Sequence, residues 1–212
     1  MTLELYNATL RRGGRDVFAD LSFLANPGER VAVTGGTVSD RTLVLQTFLG
    51  MCRLDSGWAC FDGEPVQPEI AACFRKLVAS LPRDFHFGSM TVENVARAMY
   101  GARVNKGMKY SADDVCSSLG QLDVGEDILT KSFDSLGQTL AQRALIALTF
   151  MFRRPVALMD SPTLWQDERG RCVVAEYIAS PVFDNVSVVV ATDDRRMLDV
   201  CDKVVSLNNG TK

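Results

Sequence analysis

Hydrophobic and polar positions alternate along the chain in two regimes. Residues 2–26 alternate in two strand-like runs around the turn Gly13-Gly14, and residues 56–63 read as a further strand bounded by a turn. Residues 30–34 form a continuous apolar run that reads as a buried strand. Residues 42–49 then read as a helix stopping at Gly50. Residues 77–81 read as a core strand. From about Arg83 to about Arg153 the apolar spacing becomes helical: Thr91 caps a helix through Met99, Ser111 caps one through Leu119, and residues 140–152 make a third. Strand patterns at 156–160, 186–191 and 203–207 then alternate with helical patterns at 167–179 and 195–200. That alternation predicts a parallel sheet in an α/β fold.

Composition narrows the function classes. A chain of 212 residues with 47% hydrophobic and 23% charged residues can bury an ample core. A formal charge of −3 argues against electrostatic nucleic-acid binding. The longest apolar stretch, 144–152, is far short of the ~20 residues of a membrane span. No charged segment followed by an apolar one opens the chain, so no signal peptide is expected. A cytoplasmic protein is expected, with any membrane contact made through a partner. The six cysteines include no C-x-x-C pair, and His86 is the lone histidine, which argues against zinc. The cysteines read as small apolar filler.

The chemistry concentrates between the first buried strand and the helix after it. Gly35-Gly36-Thr37-Val38-Ser39-Asp40-Arg41-Thr42 has the spacing of a phosphate-binding loop, G-x-x-x-x-G-K-[ST]. Asp40 stands where that loop needs glycine, and Arg41 where it needs lysine. A helix N-terminus attracts anions, and Asp40, read as the N-cap, already places one there. Two like charges ~4 Å apart repel by ~1 kcal/mol in water and ~4 kcal/mol at an effective dielectric of about 20. Phosphate affinity is expected to fall accordingly. Arg41 keeps the positive charge but is a wide fork where a slim ammonium fits.

Further segments stand in register with this loop: Glu4-Leu5-Tyr6-Asn7, Asn26-Pro27-Gly28-Glu29-Arg30, Leu136-Gly137-Gln138-Thr139-Leu140-Ala141-Gln142-Arg143, Val156-Ala157-Leu158-Met159-Asp160 before Ser161-Pro162-Thr163, and Val188 to Asp194. In this order the chain resembles the nucleotide-binding domain of an ATP-binding cassette (ABC) protein, from about Leu3 to about Gly210. The resemblance implies one domain over 1–212. It implies a P-loop NTPase-like parallel-sheet core, an N-terminal antiparallel β lobe and an inserted helical subdomain at about 83–153. It implies ATP and magnesium as ligands, the metal held by Thr42 and Asp160.

Carried over position by position, the resemblance also exposes departures. Ser161 stands where the family has its catalytic glutamate, Arg83 where it has the Q-loop glutamine, and Asp193 where it has the switch histidine. Gly137 replaces the serine of the signature, here Leu136-Gly137-Gln138-Thr139-Leu140. Arg12 falls where an aromatic ring stacks on adenine, while Asp167 retains the D-loop aspartate. A positioned base is worth ~10²–10⁴ in rate, and Ser161 cannot supply one at neutral pH. Together the departures imply a pseudo-ATPase with weak or absent nucleotide binding.

Phe85, Phe87 and Met90 crowd an otherwise polar loop where the family docks its membrane subunit. These side chains either meet a partner or turn into the helical region. Trp165 either packs in the core or sits at a dimer face beside Asp167. Two functions follow: a nucleotide-binding subunit of a membrane transport complex, paired with itself or a homologue, or a soluble pseudo-ATPase acting as a binding or regulatory module.

Overall fold

The computed structural model describes residues 1–207. Two sheets form from the two patterns. Strands β1 (Leu3–Arg12), β2 (Arg15–Ala25), β4 (Ser56–Phe61) and β5 (Glu64–Pro65) make an antiparallel sheet in the order β2-β1-β4-β5. Strands β3 (Arg30–Thr34), β6 (Val78–Leu81), β7 (Val156–Asp160), β8 (Ser187–Ala191) and β9 (Lys203–Ser206) make a parallel sheet in the order β6-β7-β8-β3-β9. Strand β6, expected as a core strand, lies at the edge of this sheet.

Side-chain alternation sorts the parallel strands between two cores. Val156 and Leu158 of β7 and Val189 and Ala191 of β8 face one core, which also holds the antiparallel sheet and helix α1 (Val38–Phe48). There Phe48 meets Phe23 and Phe61 edge-on at 5.9 and 6.3 Å. Ala157, Met159, Val188 and Val190 face the other core. It packs α3 (Val92–Gly101), α4 (Ala112–Gly120), α5 (Gly137–Phe150) and α6 (Glu168–Ala179). Two short helices, α2 (Ala71–Arg75) and α7 (Arg195–Asp199), complete the set. Thr91, Ser111 and Asp167 cap α3, α4 and α6 as their types predict.

Two helix boundaries differ from expectation. Helix α1 starts at Val38, four residues earlier than read, because Thr37 is its N-cap. Asp40 is therefore the third helical residue and not the cap. Helix α5 starts at Gly137 and ends at Phe150. The end of the family resemblance, near Gly210, lies outside the described residues.

A bulge separates the pairing of Tyr6 and Thr9 with β4. Gly57 fits beneath it: a Cβ there would lie 2.3 Å from the carbonyl oxygens of Tyr6 and Asn7, and its φ is +73°. The bulge requires glycine on both counts.

Candidate functional site

The loop between β3 and α1 is closed by its own side chains. Thr37 Oγ1 accepts from the Asp40 N–H at 3.2 Å, and the Thr37 N–H donates to Asp40 Oδ2 at 2.9 Å. This reciprocal box satisfies two of the free donors at the start of α1. The Asp40 side chain is 4% exposed. Arg15, at the start of β2, grips it from the antiparallel sheet, with Nη2 and Nη1 donating to Oδ1 and Oδ2 at 2.6 and 3.2 Å. Burial pushes the Asp40 carboxyl upward. The hydrogen bonds from Arg15 and Thr37 outweigh it, so the group titrates below its ordinary value.

Arg41 folds back over the loop. Its Nη1 donates to the carbonyls of Gly35 and Gly36 at 2.9 and 3.3 Å and lies 2.6 Å from the Asp193 carboxylate. Asp193 also accepts from Thr34 Oγ1 at 2.6 Å and from the Gly35 N–H at 3.2 Å. Arg41 Nε is buried without a partner among the described residues. Val38 and Ser39 contribute backbone to the first turn, and Val38 is exposed.

Below the loop, Thr42 Oγ1 donates to Asp160 Oδ2 at 2.6 Å, and Ser161 Oγ donates to Asp160 Oδ1 at 3.1 Å. Two oxygen donors in contact suit a hard divalent cation such as magnesium, so Thr42 and Asp160 fit the metal. The phosphate cradle fits less well. Two cations, Arg15 and Arg41, already balance two anions, Asp40 and Asp193, and loop donors face carboxylates. Arg83 donates through Nε and Nη2 to Asp84 at 2.9 and 2.7 Å. It lines a groove of about 630 Å³ together with Thr42 and Asp160. Arg12 is exposed at the end of β1, with Nη2 3.3 Å from Cys52 Sγ.

The other predicted residues gather elsewhere. Gly137, with φ +70°, and Gln138 open α5 after Leu136. They line a hollow of about 380 Å³ with Phe85, Phe87 and Trp165. Both Phe rings are half-buried and pack on Phe133, at 6.4 Å for Phe85 and 4.7 Å for Phe87, while Met90 is exposed. Asp167 caps α6, accepting from the Gly170 N–H at 2.8 Å. Two features escaped the sequence reading. One is Arg15, which only the hairpin geometry brings to Asp40. The other is a buried amide network in which Gln142 accepts from the Trp165 N–H and from Gln166 Nε2 and donates to the Ser161 carbonyl. The Gln142-Arg143 pair in the sequence marked its place without its partners. No cluster that could hold a metal through His, Cys, Asp and Glu occurs among the described residues.

Comparison with known proteins agrees with this geometry. The family model described as "ABC transporter" matches residues 18–164. An ABC transporter ATP-binding/permease protein of Mycobacterium tuberculosis is 26% identical over 205 residues, which are 94% of this chain and 23% of that protein. An ABC transporter ATP-binding protein of Bacillus subtilis is 25% identical over 98% of this chain and 67% of its own length. The chain spans 23 to 40% of the length of several curated relatives that it matches. Among solved structures, cbiO1 from Clostridium perfringens, part of the ABC transporter complex cbiONQ, superposes with a TM-score of 0.77 at 19% identity. The match covers 97% of this chain and 84% of that one. With phosphate-type loop, strand order and family match in agreement, the chain belongs to the ABC transporter family as a nucleotide-binding domain.

Proposed function

We propose that the chain is an ATP-binding-type subunit of a membrane transport complex whose own hydrolytic centre is disabled and whose nucleotide loop is held in a self-neutralised state. The observation that carries this reading is the Arg41–Asp193 contact of 2.6 Å. The loop's cation is engaged by a carboxylate at the position where the family has its switch histidine. Ser161 sits beside the metal-type aspartate and has no base to offer at neutral pH. A nucleotide must break the Arg41–Asp193 pair and approach the buried Asp40 carboxylate, so binding is weakened at two points. No helix among the described residues is long and apolar enough to cross a membrane. Transport is proposed to run through a membrane-spanning partner or domain, with Phe85, Phe87 and Met90 as part of that contact. A dimer, with itself or with an active homologue, would supply the missing chemistry from the second nucleotide site.

A steady-state phosphate-release assay on the purified chain, with magnesium, tests the reading. Release at background is expected, and turnover near about 1 s⁻¹ would overturn it.

A further inference from the structure

A hollow of about 500 Å³ opens between α3, the loop before α4, the end of α5 and α6. It shares no lining residue with the groove beside the phosphate-type loop. Its size is that of a small-molecule site. A second hollow of about 430 Å³ adjoins it and shares Gln121, Arg153, Tyr177 and Val182.

Arg153 is the central group. It follows the end of α5, its N–H donating to the Phe150 carbonyl at 3.1 Å, with φ +47°. That is left-handed backbone, which glycine adopts freely and arginine does not. No hydrogen bond or ion pair engages its guanidinium among the described residues. The guanidinium lies close enough to the Tyr177 phenol to draw its pKa down, although burial dominates and pushes the phenol up to about 12. Arg153 is exposed at the rim of the hollow, and Tyr100 and Phe152, packed edge-on at 5.1 Å, line the same hollow. The lining holds two cations, Lys109 and Arg153, and one carboxylate, Asp114, which leaves the hollow with an excess positive charge.

We propose that this hollow binds a small aromatic carboxylate, with its anion on Arg153 and its ring against Tyr100, Phe152 and Tyr177. A planar guanidinium recognises a carboxylate through two parallel hydrogen bonds. Aromatic side chains in the lining then favour a flat apolar body over an inorganic anion. The site is independent of the nucleotide reading, because none of its residues belongs to the loop.

Calorimetric titration of the whole chain with 2-naphthoate tests the assignment. Saturable binding with a Kd at or below about 1 mM is expected. The neutral analogue 2-naphthylmethanol should bind at least about tenfold more weakly. Arg153→Gly should lose about tenfold or more in naphthoate affinity while melting no lower than the parent, since glycine suits the backbone there. Arg153→Asn, also tolerant of this conformation, should lose affinity alike. The proposal is overturned by naphthoate that fails to saturate up to about 10 mM, by parent-like affinity in either variant, or by inorganic phosphate displacing naphthoate at equal concentration.

Discussion

Arg41 and Asp193 form an ion pair of 2.6 Å across the mouth of the phosphate-type loop, between a buried guanidinium and a half-exposed carboxylate. Arg41 keeps the positive charge of the lysine that the resemblance places there, Asp193 puts a carboxylate in place of a histidine, and the two substitutions complement each other. Taken singly in the sequence, each reads as a loss. Together in the fold they form a replacement contact. Asp193→Ala should therefore free Arg41 and raise ATP affinity about three- to tenfold. Stability should drop by about 1 kcal/mol, a modest figure because the carboxylate is largely solvated. Titration and denaturant melts read both, and unchanged affinity would show that Asp193 does not compete with nucleotide.

Asp40 should act on stability and on acid tolerance together. Its folded pKa lies below the ordinary 3.8, so its contribution is complete above about pH 4 and disappears as pH falls through the lower folded value. Asp40→Asn keeps most of the cap and loses the Arg15 ion pair. It should be less stable than the parent at pH 7 and should lose less stability on acidification below about pH 4. Asp40→Gly removes the side-chain half of the capping box and the ion pair alike and should cost about 1–2 kcal/mol, while raising ATP affinity. Urea melts between pH 3 and 7 (a range set by the carboxylate reference values) would separate the two effects.

The forecast for the loop that carries Phe85, Phe87 and Met90 changes in the structure. Exposed rings would leave stability unchanged on truncation, but Phe85 and Phe87 pack on Phe133. Phe85→Ala with Phe87→Ala should cost roughly 2–4 kcal/mol, below the full price of two core rings because both are half-buried. Met90→Ala, at an exposed side chain, should leave the melt within about 0.5 kcal/mol and weaken capture of a membrane partner. A pull-down indifferent to Met90→Ala would remove that residue from the contact.

Gly57→Ala should be among the most damaging small changes outside the cores. Both carbonyls above it are backbone and cannot rotate away, so a loss of at least about 2 kcal/mol is expected. A parent-like melting midpoint would show that the bulge can shift.

Thiol chemistry should divide the cysteines. Burial pushes the Cys201 thiol up to about 12, whereas Cys73 is exposed. At pH 8 a disulfide reagent should modify Cys73 before Cys201, because the thiolate is the reacting form. Mass mapping of partly labelled protein reads the order.

Much of this architecture was legible in the sequence. Continuous apolar runs gave β3, β7 and β8, whose two faces are both covered. Thr91 and Ser111 announced the helices they cap. The first turn of α1 was missed because Val38 and Ser39 carry no helical periodicity, and the box between Thr37 and Asp40 is a local hydrogen-bond solution rather than a hydrophobic one. Arg15 was missed for a different reason. It lies 25 residues from Asp40, and nothing in spacing alone tells which side of a hairpin meets a loop. Positions near the loop were readable, but their pairings required the fold.

The order of strands in the parallel sheet carries a consequence for synthesis. Strand β3, which delivers the phosphate-type loop, is flanked by β8 and β9. Neither neighbour exists until residues 187–206 have left the ribosome, although β3 itself emerges among the first few dozen residues. The antiparallel hairpin can form early from local contacts, while the site waits for the most distant ones. During that interval a strongly apolar strand has unpaired edges on both sides, so the nascent chain is a client for chaperones and vulnerable to aggregation when translation stalls late.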